Sequence, residues 1–279
     1  MTDLEIRAMT PADVEPAVAM YRAGGWGERR EYLEWELANP AIGMLVGLRD
    51  GSLVATATAS IHGPVGWVGS IFVDTSMRSR GYGRALTEAA CALIDSAGCR
   101  TQALIASTFG KPLYDKMGFR VDEHYQVLDA GPLASAPTPP PGRILRPMRT
   151  DDLDRVYALD RRATGEDRSR LLDSLVPSGW VVESAGDVGG FLVSILPSSG
   201  AVVASDIDAA SCLLDQLRHL GFERVRTVHA AVPLAHESGR RGLEQRGWSP
   251  AFRTPRMLRG PDVDWDPTLI WSVLGFAFG

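Results

Sequence analysis

Val68-Gly-Ser-Ile-Phe-Val-Asp-Thr-Ser-Met-Arg-Ser-Arg-Gly-Tyr-Gly-Arg84 is the stretch from which the fold can be read. Its first six residues, Val68 to Val73, are the β-branched, aromatic and small side chains of a strand. Its last seven run straight into a segment in which Leu86, Ala89, Ala90, Leu93, Ile94 and Ala97 recur at helical spacing and stop at Gly98. Glycines at 81 and 83 remove Cβ atoms, so successive main-chain N–H groups can turn toward one point, where the helix N-terminus adds its partial positive charge. That is a cradle for a pyrophosphate. Arg78, Arg80 and Arg84 add cationic side chains, which favours a ligand with several phosphate charges over one with a single carboxylate. The pattern is not the dinucleotide fingerprint Gly-x-Gly-x-x-Gly, and no acidic residue closes a second strand about 20 residues later, which argues against a Rossmann oxidoreductase.

Working outward, Ile42 to Leu48, Leu53 to Ile61 and Val65 to Val73 read as a meander of strands separated by Arg-Asp-Gly and His-Gly-Pro turns. Upstream, Thr10-Pro11-Ala-Asp13 opens a helix, and a second helix runs from about Glu28 to Ala38. Downstream come a strand from Thr101 to Ala106, a short helix around Pro112 to Met117, and a last strand from about Phe119 to Leu128. The order predicts an α+β fold with a mixed, mostly antiparallel sheet flanked by helices. Gly131 to Gly142 carries five prolines and reads as a linker. On either side of it the chain restarts in the same way, with Arg7, Met9 and Asp13 matched by Arg146, Met148 and Asp152. A duplicated fold follows, with domains at 1–130 and 143–279 around the linker 131–142; two unrelated domains that both open with a strand and a helix are the alternative.

The 279 residues are 45% hydrophobic and 23% charged, an ordinary globular composition. A formal charge of −5 without a basic block gives no footprint for nucleic acid. No secretory signal opens the chain and no apolar run approaches the roughly 20 residues that span a bilayer, so no membrane partner and a cytoplasmic location are predicted. Cys91, Cys99 and Cys212 fit reduced thiols. His219, His229 and His236 match no zinc spacing, and no metal is expected.

Val73 to Arg84 resembles the acetyl-CoA loop of the GNAT N-acetyltransferase superfamily, whose signature is Gln/Arg-x-x-Gly-x-Gly/Ala. Downstream, Ser107-Thr-Phe-Gly110-Lys-Pro-Leu-Tyr114-Asp-Lys-Met-Gly118-Phe119 is similar to the family's later element, in which a tyrosine on a short helix precedes Gly-Phe. The resemblance implies the GNAT fold and acetyl-CoA as cofactor. It implies that main-chain groups of Ile71, Phe72 and Val73 pair with the pantetheine arm as an added strand. Main-chain amides of Ser79, Arg80, Gly81, Tyr82, Gly83 and Arg84 would hold the pyrophosphate, and Tyr114 would act as the general acid for the departing thiolate. Ser107 stands where many members carry asparagine, which puts its pantetheine contact in doubt.

In many relatives a glutamate on the strand before the cradle is the base, but Trp67 to Val73 contains no acid. The remaining candidates are Glu28 and Glu31 at the start of the second helix, His62 in the hairpin turn, or a water chain. Trp26, within Gly24-Gly-Trp26-Gly27, lies in a loop that covers the acceptor side in similar proteins; it is either a substrate wall or a ring packed under the loop.

The second half keeps the fold-like pattern and loses the chemistry. Gly200 to Asp215 has no glycine pair and no arginines where a cradle would fall, and Leu243 stands in the place of Tyr114. This half resembles the degenerate C-terminal domain of bacterial tandem GNAT proteins. The expected function is acetyl transfer from acetyl-CoA to the primary amine of a small molecule, by direct attack in a ternary complex. The rival is a non-catalytic acyl-CoA sensor or interaction protein, motivated by the missing strand glutamate and the degenerate half. The final stretch, Thr268 to Gly279, reads as a terminal strand; if its faces are not both buried it becomes a subunit contact, which would admit a homodimer.

Overall fold

Ile6-Arg-Ala-Met-Thr-Pro-Ala-Asp13 and Leu145-Arg-Pro-Met-Arg-Thr-Asp-Asp152 form the same salt-bridged turn. The Arg7 guanidinium donates twice to Asp13, at 2.7 and 2.8 Å, and the Thr10 amide donates to Asp13 Oδ2 at 2.8 Å. Arg146 donates to Asp152 at 2.7 and 2.8 Å, and the Arg149 amide donates to Asp152 Oδ2 at 2.8 Å. In both, a carboxylate takes up a main-chain donor at the start of a helix while an arginine from the preceding strand balances its charge.

The computed structural model describes residues 3–279 and divides into two compact units. The first runs to Leu104 and takes in Arg259–Pro261 and Phe276–Phe278. It contains β1 (Glu5–Ala8), α1 (Val14–Ala23), α2 (Arg30–Ala38), β2 (Ile42–Arg49), β3 (Ser52–His62), β4 (Val65–Val73), α3 (Tyr82–Ser96) and β5 (Thr101–Ile105). The strands lie in the order β1-β2-β3-β4-β5, antiparallel except for β4 and β5. The parallel pairing of β4 with β5 covers Val65↔Thr101, Gly66↔Gln102 and Trp67↔Ala103 and goes no further, so β4 continues from Val68 to Val73 beyond it. Helix α3 packs on β2, β3 and β4 through Leu86, Ala90 and Ile94, all fully buried. Its approach is close enough that a Cβ on Gly66 would lie 2.3 Å from Ile94 Cγ2.

The second unit spans Ile105–Leu258, Asp262–Gly275 and Gly279. It holds α4 (Lys111–Lys116), β6 (Arg120–Ala130), β7 (Arg143–Pro147), α5 (Leu153–Thr164), α6 (Ser169–Asp173), β8 (Trp180–Ser184), β9 (Asp187–Leu196), β10 (Ser199–Ala204), α7 (Ile207–Leu220), β11 (Val228–Pro233), α8 (Glu237–Glu244), β12 (Ser249–Arg259) and β13 (Ile270–Ser272). One antiparallel sheet runs β13-β10-β9-β8-β7. In addition β6, a strand of the first half of the sequence, lies between β12 and β11, antiparallel to both. Leu128 and Ala130 of β6 join Leu213, Leu214 and Leu217 of α7 in one core, where burying each leucine contributes about 1.5–3 kcal/mol. The proline-rich stretch forms no helix or strand and is tied to the end of α7: Arg218 Nε donates to the Gly131 carbonyl at 2.7 Å and the Leu133 amide to the Arg218 carbonyl at 3.1 Å.

The last stretch departs from the expected strand. Only Ile270–Ser272 pairs with β10, and the chain then seats its apolar side chains one by one, Val273, Leu274, Ala277 and Phe278 being buried. Phe278 meets Tyr32 and Trp35 at ring distances of 6.1 and 5.5 Å, and Ala277 fills the space left by Gly69, where a Cβ would lie 2.3 Å from it. Among the described residues no helix is long and apolar enough to cross a membrane.

Candidate active site

The segment from Arg78 to Arg84 makes one exposed turn. Ser79 has φ +62° and Gly81 φ +86°, so two left-handed residues in three curl the chain at the mouth of α3. Gly81 caps the helix with no side chain on any amide, and the Ala85 amide donates to the Gly81 carbonyl at 3.0 Å. A helix leaves its first amides without intrahelical partners, and here the residues around them are exposed at Arg80, Gly81 and Arg84 and buried at Tyr82. Gly83 is helical rather than left-handed; its contribution is the absence of a side chain in the first turn.

The buried Tyr82 fixes that turn by donating to Asp3 Oδ1 at 2.6 Å, and Thr87 donates to the Gly83 carbonyl at 2.7 Å. Of the three arginines, Arg84 pairs with Glu88 at 2.8 Å, and Arg78 donates from Nε to the Val73 carbonyl at 3.3 Å. The turn fits a polyphosphate: its capping position holds no side chain, and Arg78, Arg80 and Arg84 on its flanks are exposed cations.

Strand β4 reaches the turn through a bulge. Thr56 pairs with Phe72 and Thr58 with Gly69, so Ser70 and Ile71 together oppose Ala57, and Ser70 takes φ +47°. Phe72 is buried and Ile71 and Val73 are half-buried. The Phe72 ring lies 4.8 Å from Trp26 and 5.2 Å from Tyr21, both at steep angles or tilted within the same aromatic cluster. Trp26 itself is 36% exposed and flanked by Gly25 and Gly27 at φ +82° and +78°. Arg29 lies over the rings of Trp26 and Tyr32 at 5.0 and 5.4 Å.

Beneath the bulge sits Glu36 of α2, fully excluded from solvent. Ser70 Oγ donates to Glu36 Oε1 at 3.2 Å, and among the described residues Glu36 Oε2 has no hydrogen-bond partner. Burial pushes this carboxyl up to about 8, against smaller opposing effects of the Ser70 hydroxyl and Arg29. The sequence reading did not single out Glu36, although it lies four residues from Tyr32 and three from Leu33, on the buried face of α2.

The expected bases fall elsewhere. Glu28 is exposed in the loop before α2, and its hydrogen bond from Arg22 holds its carboxyl below the usual range. Glu31 is exposed on the first turn of α2. His62 is the buried last residue of β3 rather than part of the turn, and pairs with Val65, eight residues or about 26 Å along β4 from Val73.

In the second unit, Ser107 Oγ accepts from the Gly110 amide at 3.0 Å, so its hydroxyl is used in shaping its own loop. Tyr114 on α4 is 9% exposed and meets Phe119 edge-on at 6.1 Å. Gly110 gives the phenol its room, since a Cβ there would lie 2.9 Å from Tyr114 Cε2.

Residues 8–119 match the Acetyltransferase (GNAT) family model, and residues 156–272 match an Acetyltransferase (GNAT) domain model. A glucosamine 6-phosphate N-acetyltransferase of Trypanosoma brucei brucei is 38% identical over 65 residues, which is 23% of this chain and 44% of that protein's length. A Pyrococcus horikoshii protein assigned to the acetyltransferases superimposes with a TM-score of 0.84 at 20% identity, over 100% of this chain and 97% of its own. A tandem GNAT protein from the clavulanic acid biosynthesis pathway superimposes with a TM-score of 0.64 at 18% identity, over 93% of this chain and 99% of its own. With the bared helix start and the two matched domains together, the chain belongs to the GNAT acetyltransferase family, as an acetyl-CoA-dependent acyltransferase with two GNAT domains in tandem.

Proposed function

We propose that this protein transfers the acetyl group of acetyl-CoA to a primary amine of a small molecule, by direct attack in a ternary complex. The observation that carries the reading is the helix start at Gly81, left without a side-chain cap at the end of a strand that runs on past its parallel neighbour. Acetyl-CoA, when bound, supplies an activated thioester. Amides of Ser79–Arg84 would hold its pyrophosphate, with Arg80 and the flanking arginines adding charge. The main chain of Ile71, Phe72 and Val73 would take the pantetheine arm as an added strand, and Val73 N–H would stabilise charge on the acyl oxygen. Trp26 would wall the acceptor, and Tyr114 would hold the proton that the thiolate needs. Holding both reactants in one cleft supplies much of the rate, so no nucleophilic Ser or Cys is required. Consistent with that, burial pushes the thiols of Cys91 and Cys212 up to about 11.

The relative's substrate, an amino sugar phosphate, supports a small amine as the acceptor class. The test is release of free CoA from acetyl-CoA with a panel of primary amines that includes glucosamine 6-phosphate, a polyamine and an aminoglycoside. Amine-dependent, saturable release is expected for at least one of them. Saturable acetyl-CoA binding without release by any amine would instead favour a sensor.

A further inference from the structure

We propose that Glu36, acting through the Ser70 hydroxyl, is the proton acceptor for the acyl-accepting amine. The inference rests on the acetyl-transfer reading above and supplies the base that β4 itself lacks.

The geometry is local to one end of β4. The bulge lifts Ser70 into a left-handed conformation next to Ile71, Phe72 and Val73; the residue is half-buried, and its hydroxyl meets the fully buried Glu36. A non-glycine residue in that region of backbone space carries a conformational cost, and bulges that re-aim one side chain recur at functional sites. What Ser70 is aimed at is a carboxylate with one oxygen accepting its proton at 3.2 Å and the other, Oε2, unsatisfied. A buried carboxyl with an unused oxygen is a poor structural element, costing free energy and adding no bond.

The surroundings hold the relay in register. Thr56 Oγ1 donates to the Ser70 carbonyl at 3.2 Å and shares a 2.7 Å bond with the Tyr21 hydroxyl, which ties the bulge to α1. The titratable and charged groups that face Glu36 are Arg29 from the loop, Tyr21 from α1 and Tyr32 from its own helix. Both phenols are pushed further up by burial and stay neutral, so among the described residues Arg29 supplies the charge that balances an ionised Glu36. An incoming ammonium adds a second positive charge and favours the carboxylate that must receive its proton.

The transfer balances. The ammonium N–H proton passes to Ser70 Oγ as the Ser70 O–H proton passes to Glu36 Oε1. Nitrogen regains its lone pair, Ser70 is regenerated, and Glu36 is left neutral until it returns the proton through the Ser70 hydroxyl. The second N–H proton, lost as the amide forms, balances the one that Tyr114 gives the thiolate. The aromatic rings of Trp26 and Phe72 beside the bulge suit an ammonium borne on an apolar or sugar-like body.

The test uses the full chain, acetyl-CoA and the amine of the panel that is turned over fastest. E36Q is expected to lower kcat by about 10²-fold and to remove an ionisation near pH 8 from the kcat/KM profile, with KM for acetyl-CoA unchanged within twofold. Denaturant midpoints read the ionisation without any substrate. The folded-state pKa is raised above the ordinary 4.5, so the folded wild type holds a proton that the unfolded chain releases, and its midpoint falls as pH climbs from about 5 to 8. E36Q should lack that fall and be the more stable of the two above pH 8.

Wild-type kcat and an unchanged pH profile in E36Q overturn the proposal, as does a fall in midpoint shared by both proteins. If E36Q does not fold, Ser70→Gly carries the test, since glycine accepts the left-handed φ and removes the small hydroxymethyl group; wild-type turnover there overturns the relay. A wild type that turns over no amine overturns the acetyl-transfer reading itself, and the relay with it.

Discussion

Helices α3 and α7 open at equivalent points of the two halves, each following a strand, and they treat the same electrostatic problem in opposite ways. At α7 the cap is Asp206, whose carboxylate accepts from the Asp208 and Ala209 amides at 3.0 Å each and is paired with Arg143 at 2.7 and 3.0 Å. At α3 the cap is Gly81, with no side chain on the amides. A helix start attracts an anion in either case. In the second half the protein supplies that anion itself, which stabilises the helix and closes the position. In the first half, with glycine as the cap, it forgoes only a few tenths of a kcal/mol of capping and leaves the position open to a ligand. A bare cap beside a filled one in the same chain is a sharper pointer to a binding site than the Gly-x-Gly pattern taken alone.

Exchanging the two caps tests the comparison most severely. Gly81→Asp, which forces a side chain onto φ +86° and offers the amides a resident carboxylate, should weaken CoA binding at least 100-fold by calorimetry. The reciprocal Asp206→Gly should leave CoA binding alone and lower stability by about 0.5–1 kcal/mol in urea denaturation, a few tenths from the cap and the rest from the part-exposed Arg143 pair. Equal effects of both changes on CoA binding would mean that the two helix starts are not distinguished as drawn.

A smaller effect is expected where Tyr114 faces its counterpart Leu243. Tyr114→Phe should reduce kcat by about 10²-fold while CoA binding holds. Loss of binding to the same degree would make the phenol a packing element. Leu243 is fully buried and carries no ionisable group.

The smallest difference concerns the salt-bridged turns. Asp13 and Asp152 both have carboxyls held low by their arginine partners, Arg7 and Arg146. A depressed folded-state pKa stabilises above the unfolded value of about 3.9 and is lost as pH falls through the folded-state value. Asp13→Asn and Asp152→Asn should therefore each cost about 1–3 kcal/mol at pH 7 and progressively less below pH 4. The Asp152 variant should lose less, because Glu183 at 2.9 Å still pairs Arg146 once Asp152 is replaced. Urea denaturation of both variants at pH 7 and pH 3.5 decides this.

Most elements of the first half were legible because they rest on local rules. The strand periods of Ile42–Leu48 and Val65–Val73, the helical spacing from Leu86 to Ala97 and the glycine turn all lie within contiguous residues, and each was found within a residue or two. Glu36 was missed for a physical reason. On a helix reading Arg-Glu-Tyr-Leu-Glu-Trp-Glu-Leu, three glutamates look like one solvated face, and only strict 3.6 periodicity separates Glu36 from Glu31 and Glu34. His62 looked available because it ends a hairpin, yet the register buries it at the far end of β4. The partner of β6 was not legible at all, since Arg120–Ala130 and Ser249–Arg259 have similar strand-forming patterns and nothing local says which strand each will join.

That pairing bears on how the second copy survived. Because β6 of the first half is seated between β11 and β12, with Leu128 and Ala130 inside the core built on α7, the later half furnishes the bed on which the earlier half lays its last strand. A gene that shed the second copy would also strand part of the first. Interlocking of this kind ties the two copies to one fate, as scaffolding that cannot be taken down.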